Sequence, residues 1–184
     1  VLLMKPMQEQ HHKIVMSMFG LWVLMGVGFL LSMLHMGSPM RAFNSMIRVG
    51  HSALSNEIVS GSIFFALGGI YWLLSLLKKM PKSVGNIWLI VTILCAAIFI
   101  YAISRVYQID TVPTWFNHYG SLQFILTSFI AGPVLAAFLL RIASYDINNI
   151  RFFILISIVA VIASSILVTA QGFELGSIQS SVQK

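Results

Sequence analysis

Five stretches of the chain run without a single Asp, Glu, Lys or Arg: residues 14–34, 58–77, 87–104, 119–140 and 152–170. Each is long enough to cross a bilayer core, which takes roughly 17–25 helical residues. None alternates apolar with polar positions in short segments of about ten residues, as a membrane barrel would. In lipid an open strand leaves its backbone groups unpaired, so the runs are predicted to be helices. The expected fold is all-α, a polytopic transmembrane helical bundle, with residues 1–184 forming a single transmembrane domain. Pro133 falls inside the fourth run and is expected to kink it. Small residues cluster at Gly20, Gly26 and Gly28, at Ser60, Gly61 and Ser62, and at Gly68 and Gly69. They either let helices approach closely or reflect the ordinary glycine content of membrane helices.

Composition agrees with this pattern and removes the alternatives. Hydrophobic residues make up 58% of the 184 positions, charged residues 9%, and the mean hydropathy is +0.91. A soluble domain carries about 25% charged residues, so a water-soluble globule is excluded, and the apolar content excludes disorder. The lone cysteine, Cys95, excludes a disulfide scaffold. The net charge of +6 does not indicate nucleic acid, because the basic residues are scattered singly between apolar runs and form no basic face. Their distribution is a topology signal instead. Lys5, Lys13, Lys78, Lys79, Lys82, Arg141 and Arg151 fall on one side, and Arg41, Arg48, Arg105 and Lys184 on the other. The richer side is predicted to be cytoplasmic, which puts the loop between the first two runs on the opposite face. The chain begins at Val1, and its first four residues read like the end of an earlier apolar helix, so it is expected to be a fragment. Residues 171–184 are expected to form a polar loop.

Most of the polar chemistry lies between the first two runs. Gly37-Ser38-Pro39 ends the first helix and places His35 in or beside its last turn. Over residues 40–49, Arg41, Asn44, Ser45 and Arg48 repeat at helical spacing, with Met40, Phe43, Met46 and Ile47 opposite. That pattern predicts a short amphipathic helix in the interface, stopped by Gly50; an irregular loop is the alternative. Ser55 or Asn56 is expected to cap the second span, with Glu57 in its first turn. There the helix N-terminus favours a carboxylate and the bilayer favours its neutral form. The balance makes Glu57 a candidate for proton exchange, and His35 titrates near pH 6.5 when unperturbed. Ionisable groups at or in a membrane are functional candidates. His35, Glu57 and Arg41 together suggest a site for a small amphipathic molecule that gives up protons. Plainer roles stand beside this: an interfacial histidine, a capping acid, and an arginine on lipid phosphate. Trp115, Phe116 and Tyr119 resemble an aromatic belt, and Asp110 is either solvated or paired with Arg105.

Redox groups find little support. A b-haem needs two axial histidines on facing helices. Of His11, His12, His35, His51 and His118, none lies in the middle of a run, and only His35 and His118 form a plausible pair on one side. No metal-ligand spacing is present, so no metal site is expected, nor an enzyme acting alone with its own redox cofactor.

Several long motifs carry a resemblance. They are Met18-Phe19-Gly20-Leu21-Trp22-Val23-Leu24-Met25-Gly26, Ser32-Met33-Leu34-His35-Met36-Gly37-Ser38-Pro39-Met40-Arg41-Ala42-Phe43-Asn44-Ser45 and Ser52-Ala53-Leu54-Ser55-Asn56-Glu57-Ile58. Ile109-Asp110-Thr111-Val112-Pro113-Thr114-Trp115 and Ser180-Ser181-Val182-Gln183 add to them. The sequence resembles the membrane-anchor subunits of anaerobic dimethyl sulfoxide reductases. That resemblance implies an eight-helix subunit of the bacterial cytoplasmic membrane, of which one helix before and two after this chain would be missing. It also implies two partners: a catalytic subunit carrying molybdenum–pterin and an electron-transfer subunit carrying iron–sulfur clusters. The anchor would bind and oxidise menaquinol and pass electrons to the clusters for reduction of dimethyl sulfoxide or related oxides. The resemblance maps the quinol-site histidine and glutamate onto His35 and Glu57, with Gly37, Arg41, Phe43 and Ser45 around them. The competing expectations are a haem-bearing quinol oxidoreductase anchor and a passive anchor without a quinol site.

Overall fold

The computed structural model describes residues 2, 8–34, 38–108, 110–111, 115–145 and 147–182. Everything regular in them is helical: α1 (Gln8–Ser17), α2 (Phe19–Leu34), a 3-10 helix (Pro39–Met46), α3 (Ala53–Leu76), α4 (Lys82–Val106), α5 (His118–Ile142) and α6 (Ile147–Val182). Among the described residues five helical stretches are long and apolar enough to cross a membrane, with α1 and α2 forming one of them. The fold is an all-α bundle of a multi-pass membrane protein. Its outer surface is crowded with exposed Leu, Ile, Val and Phe, as a protein solvated by lipid tails requires.

Two antiparallel pairs, α3 with α4 and α5 with α6, form the body of the bundle and meet along α4 and α5. α1 lies against α3 and α5. At that end Ile14, Ala137, Leu140, Ala143 and Ile150 form a buried cluster, flanked by Leu2, Tyr145 and Phe153. A few polar bonds join the helices within each pair. Trp88 Nε1 donates to the Leu67 carbonyl at 2.9 Å, and Gln123 and Ser164 exchange bonds of 2.9 and 3.4 Å.

The first span is not one continuous helix. It breaks at Met18, where Ser17 Oγ bonds back to the Ile14 carbonyl at 2.7 Å and Trp72 Nε1 of α3 donates to the Val15 carbonyl at 2.7 Å. A side chain entering the carbonyl ladder is a known cause of such breaks. Beyond the break α2 stands off from α3 and touches it mainly through rings. Phe19 meets Trp72, Trp22 meets Phe64 and Phe65, and Phe29 meets Phe65, with centroids 5.5–6.2 Å apart. The glycines divide accordingly. A Cβ on Gly68 would collide with the Trp22 ring, and one on Gly61 would lie 2.7 Å from Phe99 and 3.1 Å from Phe29. Gly20, Gly28 and Gly69 face open space. Close approach therefore explains Gly61 and Gly68, where the glycine receives a ring rather than a neighbouring backbone.

Pro133 does not interrupt α5, which runs unbroken from His118 to Ile142. Its missing N–H leaves the Phe129 carbonyl, four residues back, without its helical donor. Ser157 Oγ of α6 lies 3.4 Å from that oxygen and 3.3 Å from the Phe153 carbonyl of its own helix, so its one proton is shared between the two. The C-terminal segment also differs from expectation. Residues 171–182 continue α6 rather than forming a loop, and Glu174 accepts a hydrogen bond from the Tyr119 hydroxyl of α5.

Candidate functional site

The loop between α2 and α3 is built from short-range hydrogen bonds. Ser38 precedes the 3-10 helix, Pro39 opens it, and Arg41 N–H donates to the Ser38 carbonyl at 2.9 Å. The helix ends at Met46. His51 and Ser52 N–H then both donate to the Arg48 carbonyl, at 3.1 and 3.0 Å. Gly50 takes φ of +85°, a conformation that favours glycine, and its N–H donates to Asn56 Oδ1 at 2.7 Å. This bond ties the loop to the first turns of α3.

Two local expectations change as a result. Ser52, rather than Ser55 or Asn56, caps α3, accepting from Ser55 N–H at 3.4 Å. Asn56 is occupied by Gly50. With the cap three residues earlier, Glu57 sits in the second turn of α3, not the first. The orphan N–H groups and the strongest part of the helix dipole act within the first turn, so Glu57 lies beyond them. It is half-buried in the bundle.

The segment expected to be an α-helix over 40–49 is a 3-10 helix over Pro39–Met46, followed by turns. The difference redistributes its side chains. At three residues per turn, Arg41 and Asn44 share one stripe, while Ser45 lies about a third of a turn away. Ser45 and Met46 are half-buried where the helix packs on α3 and α2. Arg41 is exposed, and Phe43 is 70% exposed. The loop therefore brings Ser45 and Glu57 to the same end of the bundle and leaves Arg41 and Phe43 on its outer rim. His35 and Gly37 lie outside the described residues, as does the pairing of His35 with His118. Among the described residues no group of three or more His, Cys, Asp or Glu side chains could hold a metal ion.

A second polar feature sits at the same end of the membrane domain, between the C-terminal end of α4, the first turn of α5 and the far end of α6. It is a cavity of about 660 Å³ lined by Arg105, Gln108, Phe116, Asn117, His118, Tyr119, Leu122 and Glu174. Gln108 organises its floor, donating to Ser121 Oγ at 2.7 Å and to the Asn117 carbonyl at 3.3 Å while accepting from Arg105. Asn117 caps α5, accepting from the N–H groups of Tyr119 and Gly120. Arg105 thus meets Gln108, not Asp110. Residue pattern alone suggests an aromatic belt here and a polar tail beyond α6, and it misses the cavity. The one signal that could have found it is the pair of polar residues, Gln108 and Glu174, placed where two helices end.

These features define an all-helical, multi-pass membrane protein with the candidate loop, Glu57 and the polar cavity at one end. The particular family follows from comparison with known proteins. Residues 1–184 match the DMSO reductase anchor subunit (DmsC) family, and the protein belongs to it. It is 52% identical over 177 residues to the C subunit of anaerobic dimethyl sulfoxide reductase from Escherichia coli K12, covering 96% of this sequence and 62% of that one. It is also 52% identical over 172 residues to the anaerobic dimethyl sulfoxide reductase subunit YnfH of the same organism, covering 94% and 60%. The corresponding C subunit of Haemophilus influenzae is 44% identical over 177 residues, covering 94% and 61%. The sequence thus spans about three fifths of the length of these relatives. No solved structure matches it.

Proposed function

We propose that this chain is the larger part of an eight-helix anchor in the bacterial inner membrane, a single transmembrane domain that binds and oxidises menaquinol for an anaerobic reductase of dimethyl sulfoxide or related S- and N-oxides. Its partners are an iron–sulfur electron-transfer subunit and a molybdopterin catalytic subunit, which carry the metal cofactors. The match to the anchor family over the whole of residues 1–184 carries this reading. The α2–α3 loop faces the periplasm, the side poorer in Lys and Arg.

The described residues of the site suit a hydroquinone. Glu57 offers a half-buried carboxylate, Ser45 a half-buried hydroxyl and Met46 an apolar wall. In the proposed mechanism His35 accepts a hydrogen bond and then a proton from one quinol hydroxyl. Glu57 takes or relays the second proton. Arg41, on the exposed rim, steadies negative charge as the hydroxyls are deprotonated. Gly37, Phe43 and Ser45 shape the pocket. Quinol yields two electrons and two protons; the partner's iron–sulfur clusters would accept the electrons, and the protons leave on the same face.

The test separates quinol chemistry from oxide reduction. His35→Arg abolishes quinol-dependent turnover of the assembled complex and leaves its activity with a soluble reduced dye intact. Glu57→Gln lowers quinol-dependent turnover about a hundredfold, the lower range of a lost general acid–base group, with the same dye control. Normal quinol turnover in both variants overturns the site.

A further inference from the structure

The cavity at the ends of α4, α5 and α6 plays no part in the mechanism above, yet it is built rather than incidental. Gln108 spans it, bonded to Arg105 on one side and to Ser121 and the Asn117 carbonyl on the other. Tyr119 holds Glu174 in place. The lining then offers three distinct chemistries in one space of about 660 Å³. Arg105 is a permanent cation with several donors, and His118 lines the same space. Glu174 is an anion on a different helix. Phe116 and Leu122 are apolar and face the same space.

Charge decides among possible occupants. A simple anion would be drawn to Arg105 and repelled by Glu174, and an organic cation would meet the reverse. A molecule with a phosphate and an ammonium a few ångströms apart satisfies both, provided apolar tails can follow the ring and the leucine into the bilayer. The location fits such a molecule. Arg105 falls in the last turn of α4 and His118 in the first of α5, the depth at which headgroups lie.

We propose that this cavity binds the headgroup of a zwitterionic aminophospholipid, with Arg105 and His118 on the phosphate, Glu174 on the ammonium, and Phe116 and Leu122 against the first carbons of the acyl tails. Tyr119 is a positioning residue, because its hydroxyl bonds Glu174, which lines the same space as Arg105. A carboxylate has about four acceptor sites, so it can receive the ammonium as well as Tyr119.

The experiment uses the full-length anchor in its assembled complex, in nanodiscs of phosphatidylethanolamine, phosphatidylglycerol or an equal mixture, with retained lipid counted by native mass spectrometry. The unaltered protein retains phosphatidylethanolamine about tenfold in preference to phosphatidylglycerol, the scale of one charge-assisted hydrogen bond. Glu174→Gln keeps an acceptor for Tyr119 and removes the charge, so it erases the preference without reducing total lipid retained. Arg105→Gln weakens retention of both lipids about tenfold. Leu122→Trp, which fills the cavity and leaves its polar groups in place, expels both. Millimolar inorganic phosphate leaves the retained lipid undisturbed. The proposal is overturned if Glu174→Gln keeps the preference, if Leu122→Trp keeps the lipid, or if inorganic phosphate alone displaces it.

Discussion

At the scale of single residues, several backbone carbonyls accept a bond from a side chain of another helix. Hydrocarbon offers no water to a carbonyl that loses its donor, so the repair must come from protein. Pro133 and Ser157 give the clearest pair. Ser157→Ala should destabilise the bundle by about 0.6 kcal/mol, the usual size of an interhelical side-chain bond in membrane proteins. Pro133→Ala restores the missing N–H, and in that background Ser157→Ala should cost close to nothing. A double-mutant cycle on unfolding in detergent measures this difference. Equal costs in the two backgrounds would mean that Ser157 has some other role. Trp72 and the Val15 carbonyl form the second pair. Trp72→Phe keeps the ring beside Phe19 and removes the Nε1 donor, so it should cost about 1 kcal/mol and leave the tilt of α3 unchanged by oriented infrared dichroism.

At the scale of elements, the spans were legible in the sequence because bilayer thickness sets their length and hydrocarbon excludes their charges. Both constraints are local. What the sequence did not disclose depends on contacts far along the chain. The break at Met18 carries no glycine or proline at its centre, and beside the local Ser17 back-bond it has Trp72, 57 residues away, reaching Val15. The cap of α3 was ambiguous because Ser52, Ser55 and Asn56 are all good capping residues; Gly50 resolves it by taking the Asn56 amide. Residues 171–182 are polar enough to read as a loop, but helix is retained where Glu174 is held by Tyr119. In the candidate site, Glu57 was singled out from residue type and spacing, and Ser45 came in through the family resemblance. The placement of Arg41 and Phe43 on the rim was not legible, because the expected α-helix has about 3.6 residues per turn where this segment adopts about three. The seam between α2 and α3 belongs to the same scale. The Trp22 ring sits over Gly68, flanked by Phe64 and Phe65. Gly68→Ala should destabilise by about 1–3 kcal/mol, as overpacking does. Trp22→Leu should rescue it by giving the new methyl room. Thermal unfolding in detergent of the two single variants and the pair tests this, and additive losses would place Trp22 elsewhere.

At the scale of the whole molecule, the candidate-site residues and the polar cavity share one end of the membrane domain. The 3-10 helix, Glu57 and the cavity lined by Arg105 and Glu174 all lie at the end where α3 begins, α4 ends and α5 begins. The opposite end carries the buried cluster around Ile14 and Leu140 and the exposed Lys78 and Lys79. This division makes orientation decisive, because it determines where a quinol's protons would be released and where redox partners could dock. The Lys and Arg distribution predicts that the end carrying the α2–α3 loop lies outside the cytoplasm. In a Cys95→Ser background of the full-length protein, single cysteines at Arg48 and Lys79 report the two ends, since both side chains are exposed. A membrane-impermeant maleimide applied to intact cells should label Arg48→Cys and spare Lys79→Cys until the inner membrane is opened. The reverse pattern would turn the end carrying the α2–α3 loop to the cytoplasm. Proton release and partner docking would then move with it, while the placement of Glu57 beside the α2–α3 loop would stand.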